Sequence, residues 1–277
     1  MNYPPTPRSH RRARLIALLL GAVAAGSDLG ASSPSAPTQG GAFEARGLWE
    51  EQHTPLDYLD KVGQNLKARW RQHYRPPPPV PAPERGKLSL TLGALIGESF
   101  LACEAGDAQQ FRNNQQEVMT FCKTLGLGER VTPRLMAQAK MAEMEQWPEL
   151  RSDMEDGMVQ LLDMLHSQRD EDLAILVELG AWLRTLEVAS AVVLDDPNPE
   201  NLNWCIGCSQ LLEHLLALYG GLSDTARQEL AVMDVGATLD FLRRHWLDVP
   251  SEVPPQIELA TKTLERLTAV MRRTTLK

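Results

Sequence analysis

Aromatic residues are scarce in this chain: six Trp, four Tyr and five Phe make up 5 % of its 277 residues. That scarcity disfavours both an aromatic-rich β sandwich and a stacking surface for nucleic-acid bases. Positive charge is also in deficit, with 28 Lys and Arg against 36 Asp and Glu and a formal net charge of -8. An acidic surface repels phosphate backbones and anionic headgroups, so nucleic acid is not an expected partner. H-E-x-x-H, G-x-S-x-G and a phosphate-binding glycine loop are all missing, which lowers the expectation of a hydrolase or a nucleotide enzyme. No stretch of alternating β-branched residues marks a strand. The longest early apolar run, Leu15 to Gly26, is about 12 residues. A membrane helix needs roughly 20.

That short run follows Arg8, Arg11, Arg12 and Arg14, and Ala22-Val23-Ala24 supplies small residues at its end. A basic start, an apolar centre and a small-residue site form the secretory pattern. Residues 1–26 are therefore expected to be a signal peptide, with Arg11-Arg12 leaving twin-arginine export as a variant. Loss of the four arginines with the leader would take the formal charge from -8 to -12. The expected location is extracytoplasmic, periplasmic or secreted, with no stable transmembrane helix after processing.

Residues 27–47 are rich in Gly, Ser, Ala and Pro and read as a flexible spacer. An amino-terminal helix is expected within 48–75. Thr54 would cap it, Pro55 would open it, and Leu59, Val62, Leu66 and Trp70 recur at helical spacing. Residues 76–87 hold the run Pro76-Pro77-Pro78-Pro79-Val80-Pro81-Ala82-Pro83, an extended polyproline linker, because proline lacks the amide a helix needs. Residues 88–277 then read as one all-helical domain. Its helices are expected over 88–105, from Asp107 to Thr124, from Thr132-Pro133 onward, from Pro148 to Ser167 and over 170–194. Later ones are expected over 207–219, 223–246 and 255–274. The fold class is all-α, an irregular multi-helix bundle or a stack of helical hairpins. The 170–194 helix is apolar nearly all round, which makes it the expected buried centre.

Buried charge needs partners. Arg184 and Glu187 are spaced i,i+3 and can pair on that central helix. Glu178 faces elsewhere, and Glu98 sits between Gly97 and Ser99 in another apolar stretch. Glu98, Glu178, Arg184 and Glu187 are thus candidates either for a structural ion network or for a polar ligand pocket.

The most specific chemical motif is Trp204-Cys205-Ile206-Gly207-Cys208. These five residues resemble the active-site motif of thioredoxin-like oxidoreductases. The resemblance implies Cys205 as nucleophile and Cys208 as resolving thiol, at a helix start that favours the thiolate. A small structural disulfide and two packed thiols are the plainer readings, and no β-strand precedes the motif. Ser209 follows where haem attachment would need His, and His214 adds too few ligands for zinc. Cys103 and Cys122 would lie roughly 18 Å out of register on antiparallel helices, too far to bridge. No cofactor and no metal are assigned.

Lys67, Arg69, Trp70, Arg71, Tyr74 and Arg75 form a basic, aromatic segment beside the prolines. It suits the negative end of a helix dipole, or it docks on the protein's own acidic body. It is also the best candidate for binding an acidic partner or a membrane surface. The reading that follows is an exported, non-catalytic helical scaffold or binding protein whose partner is another extracytoplasmic protein. The alternative is an extracytoplasmic thiol-disulfide protein.

Overall fold

The computed structural model describes residues 54–78, 81 and 83–275. The expected signal peptide, the spacer and the start of the 48–75 segment lie outside them. Among the described residues all regular structure is helical. The helices are α1 (Pro55–Asn65), α2 (Arg85–Glu104), α3 (Ala108–Thr124), α4 (Gly128–Glu143), α5 (Trp147–Ser167) and α6 (Glu171–Asp195). They continue as α7 (Pro199–Leu202), α8 (Ser209–Gly221), α9 (Asp224–Arg227), α10 (Leu230–Trp246) and α11 (Val253–Thr275), with a 3-10 turn at Trp70–His73. None of these helices is long and apolar enough to cross a membrane.

Helices α2 to α6 are joined by four copies of one connection. Gly106, Gly126, Glu145 and Arg169 each adopt positive φ just past a helix end. At each, the next amide reaches back five residues: Asp107 to Ala102, Leu127 to Cys122, Gln146 to Met141 and Asp170 to Leu165, at 2.8–3.0 Å. This is the Schellman closure, which satisfies the last carbonyls of a helix and reverses the chain. Cross-helix bonds from Asn114 to Glu98, Arg112 to Glu143 and Arg134 to Asp153 join α2–α3, α3–α4 and α4–α5 as antiparallel neighbours. The spacing of the connections is uneven, so the hairpins build a bundle rather than a regular repeat.

The sequence that closes the bundle is glycine. A Cβ on Gly93 would meet the Val177 carbonyl oxygen at 2.0 Å, and one on Gly180 would meet the Leu90 oxygen at 2.2 Å. A Cβ on Gly97 would touch the Arg184 side chain. The contacts advance together along both helices, so α2 and α6 run parallel with their backbones in contact. Every residue of α2 from Leu88 to Cys103 is buried, as is nearly all of α6 from Leu173 to Val193. The expectation of α6 as the buried centre holds, and α2 shares that role.

Three boundaries differ from the sequence expectation by more than one helical turn, and α2 begins at Arg85, within the expected 76–87 linker. The first helix stops at Asn65 instead of running to 75, because the chain turns back and lays Trp70 on Gly63, where a Cβ would be 2.9 Å from the indole. Helix α4 starts at Gly128 rather than at Pro133. Leu127 and Val131 are buried, and the Thr132 hydroxyl donates back to the Gly128 carbonyl at 2.6 Å instead of capping forward. The helix expected over 223–246 breaks at Gln228-Glu229, where Glu229 is extended and its carboxylate packs on Gly86. Nor do the prolines hold the first helix off: Leu56, Leu59, Val62 and Trp70 lie in the same core as α2 and α6.

Candidate functional site

Arg184 points from α6 toward the segment that follows α1. Its Nε donates to Glu98 on α2 at 2.7 Å, and its Nη1 donates to Glu187 one turn along α6 at 2.7 Å. Its Nη2 donates to the carbonyl of His73 in the incoming strap. Glu187 also accepts from Arg75 and, at 2.8 Å, from Thr268 on α11. Two arginines and two glutamates thus form a neutral cluster, with Glu98, Arg184 and Glu187 each 5 % exposed or less. Mutual pairing is what makes burial of these charges tolerable, since an uncompensated one costs several kcal/mol; Glu98 Oε2 and Arg75 Nη1 are left without a hydrogen-bond partner. Burial pushes the Glu98 carboxyl up and Arg184 pulls it back; the burial effect is the larger. Arg184 rises, because its two carboxylate partners outweigh its own desolvation.

The cluster ties α2, α6, α11 and the strap together. Of the basic, aromatic residues before the prolines, Trp70 is core and Arg75 is a member of the cluster. Tyr74 is half-buried, and burial raises its hydroxyl pKa. Lys67, Arg69 and Arg71 stay exposed, Arg71 making a 3.3 Å pair with Asp107. His73 is held below its ordinary pKa, burial outweighing the nearby Asp195. The segment therefore docks on the protein's own acids. Sequence reasoning placed Arg75 in a binding patch and missed its partner. The signal was available: Glu98 and Glu187 outnumber Arg184 on buried helices, which calls for a second cation.

Glu178 does not join this cluster. It is half-buried on another side of α6 and pairs with His214 of α8 at 3.3 Å. The His214 ring stands edge-on to Trp182 at 5.7 Å, and Trp182 tilts against Tyr58 at 6.1 Å. Tyr58 donates to the carbonyl of Trp204, which fastens α1 to the cysteine loop.

In that loop Cys205, Ile206 and Cys208 are buried. Gly207 takes φ +76, and Val249 lies so close that a Cβ there would be 2.9 Å from it. Cys208 is the residue before α8, and Cys205 lies further back, donating weakly to the Leu202 carbonyl at 3.5 Å. Both are thiols outside any disulfide; Cys205 is 1 % and Cys208 6 % exposed. Burial drives the Cys205 thiol well above its ordinary pKa, the direction opposite to that of a nucleophilic thiolate. Cys103 and Cys122 are likewise buried and outside any disulfide.

Among the described residues no group of three or more His, Cys, Asp or Glu converges as a metal site. No family model matches the chain, and no curated protein or solved structure matches it significantly.

Proposed function

We propose that the protein is an exported, non-catalytic helical scaffold or binding protein that acts on another extracytoplasmic protein. The observation behind this reading is the inward use of its reactive side chains. The Glu98–Arg184–Glu187–Arg75 cluster joins four elements, and the cysteine loop is packed beneath Val249. Such groups serve cohesion, and recognition is left to helix surface. That surface carries Lys67, Arg69 and Arg71 near α1 and isolated apolar side chains such as Met136 and Val159 on α4 and α5. Export rests on the sequence of residues 1–26, so protein recovered from its host should lack that leader and its four arginines.

The test places a photo-crosslinking residue at Arg69, Met136 or Val159 of the full chain in its native host. A discrete protein adduct, retained in the Cys205→Ser/Cys208→Ser variant, is the expected result. Thiol labelling should find both cysteines silent in the folded protein and reactive in urea. Catalysed disulfide reduction that vanishes with Cys205→Ser would sink the non-catalytic reading.

A further inference from the structure

Helices α2, α3, α4 and α5 leave a cavity of about 60 Å³ between them. Its wall is apolar and soft: Phe100, Val118, Leu135, Met154, Met158 and Met164 line it. The polar groups at its edge are nearly all engaged. Ser99 donates to the Leu95 carbonyl at 3.1 Å, while Gln138 and Arg134 donate to the Asp153 carboxylate at 2.9 and 3.0 Å. Gln115 differs. It lines the cavity, is 4 % exposed, and its amide oxygen has no hydrogen-bond partner.

Buried acceptors are almost always satisfied, so this one requires a donor. Water suits the space badly, because a trapped water needs two to four polar partners and the wall is largely apolar. A molecule that is mostly carbon and carries one donor satisfies both the wall and the oxygen. The cavity is smaller than the roughly 150 Å³ that takes benzene in an apolar core. Methionine, with three rotatable bonds, is the side chain best able to repack around a guest. We propose that this cavity is a binding site for a small, largely apolar alcohol or phenol, whose hydroxyl donates to Gln115 Oε1. The site goes beyond the scaffold reading and needs no macromolecular partner, so either can fail without the other.

The experiment uses the full chain with ¹³C-methyl methionine, titrated with phenol and, separately, with toluene as the donor-free match. Phenol should shift the Met154, Met158 and Met164 methyl signals saturably, and intermolecular NOEs should join its ring protons to Met158. Toluene should bind roughly two- to tenfold more weakly, the value of one net hydrogen bond. Gln115→Leu should bring phenol down to the toluene level, and Val118→Leu should exclude both. The NOEs in the unmutated protein decide occupancy even if a variant loses its fold. Shifts confined to the exposed Met136, Met144 and Met233, or no saturation, overturn the site. Equal affinity for phenol and toluene, unchanged by Gln115→Leu, overturns the hydroxyl recognition.

Discussion

Helices α2 and α6 meet through their backbones, whereas α4 and α5 meet each other through long side chains. At the first contact Gly93 and Gly180 leave no room for even a Cβ. At the second, the glycine of the seam, Gly157, lies against the Arg134 Cδ and the Gln138 amide nitrogen, at 3.1 and 3.2 Å from a notional Cβ. Backbone contact fixes one register. Side-chain contact tolerates adjustment, and it leaves the methionine-lined cavity. The bundle is therefore rigid along one seam and adaptable along the other, which is where a ligand site belongs.

The strongest way to break the rigid seam is to unpair its charges. Arg184→Ala leaves Glu98 and Glu187 buried with Arg75 alone, and should lower unfolding stability by about 3–5 kcal/mol. Chemical denaturation would measure it, and a loss below about 1 kcal/mol would mean that water reaches the cluster. Next is Gly180→Ala, whose Cβ must drive α2 and α6 apart. The cost should be about 3 kcal/mol, the upper end of overpacking. Gly157→Ala sharpens the contrast. Its neighbours are the side chains of Arg134 and Gln138, which need yield only by a few tenths of an ångström, and alanine gains up to about 1 kcal/mol in helix propensity. Its net effect should stay within about 1 kcal/mol of zero. Equal losses for the two variants would erase the distinction between the seams.

The rigid seam was half visible in the sequence. Two helices without a polar face announce burial, and the i,i+3 spacing of Arg184 and Glu187 anticipated a pair found at 2.7 Å. Which helix would meet α6 was not visible, because Gly93, Gly97 and Gly180 look like ordinary weak points until two backbones are laid together. The strap was misjudged for a related reason. Periodicity carried the first helix through Trp70, yet burial of that indole on Gly63 ends it at Asn65. Local pattern reports which faces are apolar; it does not report which long-range contact wins. The cavity left no mark at all, since methionines at helical spacing read as core whether or not the core is filled.

Between the two seams sits Glu104, at the end of α2. It shares Arg151 of α5 with Asp60 of α1, at 2.6 Å for each pair. Burial raises its pKa to about 7, Arg151 opposing and Asp60 assisting. The folded pKa lies above the unfolded one, so the folded state binds more protons between about 4.5 and 7. The stability this group contributes is complete below that window and is lost as pH rises through about 7. Glu104→Gln should remove that slope. Unfolding midpoints at pH 5 and pH 8 should show wild type losing up to about 3 kcal/mol relative to the variant. Taking the difference isolates Glu104 from His73, whose lowered pKa acts in the opposite direction. A difference that stays constant with pH would place Glu104 in an ordinary solvated environment.

The smallest effect probes the hinge of the adaptable side itself. Glu145 closes α4 and turns the chain into α5 with φ +56, a conformation that costs a non-glycine residue roughly 1–2 kcal/mol. Its amide donates to the Ala142 carbonyl and that of Gln146 to Met141, so the Schellman bonds rest on the backbone and survive any side-chain change. Gly106 and Gly126 make the same turn at the two preceding connections without that penalty. Glu145→Gly should therefore stabilise the protein, by about 1 kcal/mol or less once glycine's extra unfolded-state entropy is set against the relieved strain. Thermal melts of the variant would register it as a rise of a few degrees at most. A loss instead would mean that the α4–α5 turn draws support from the Glu145 side chain, and that the softer seam is pinned at its end.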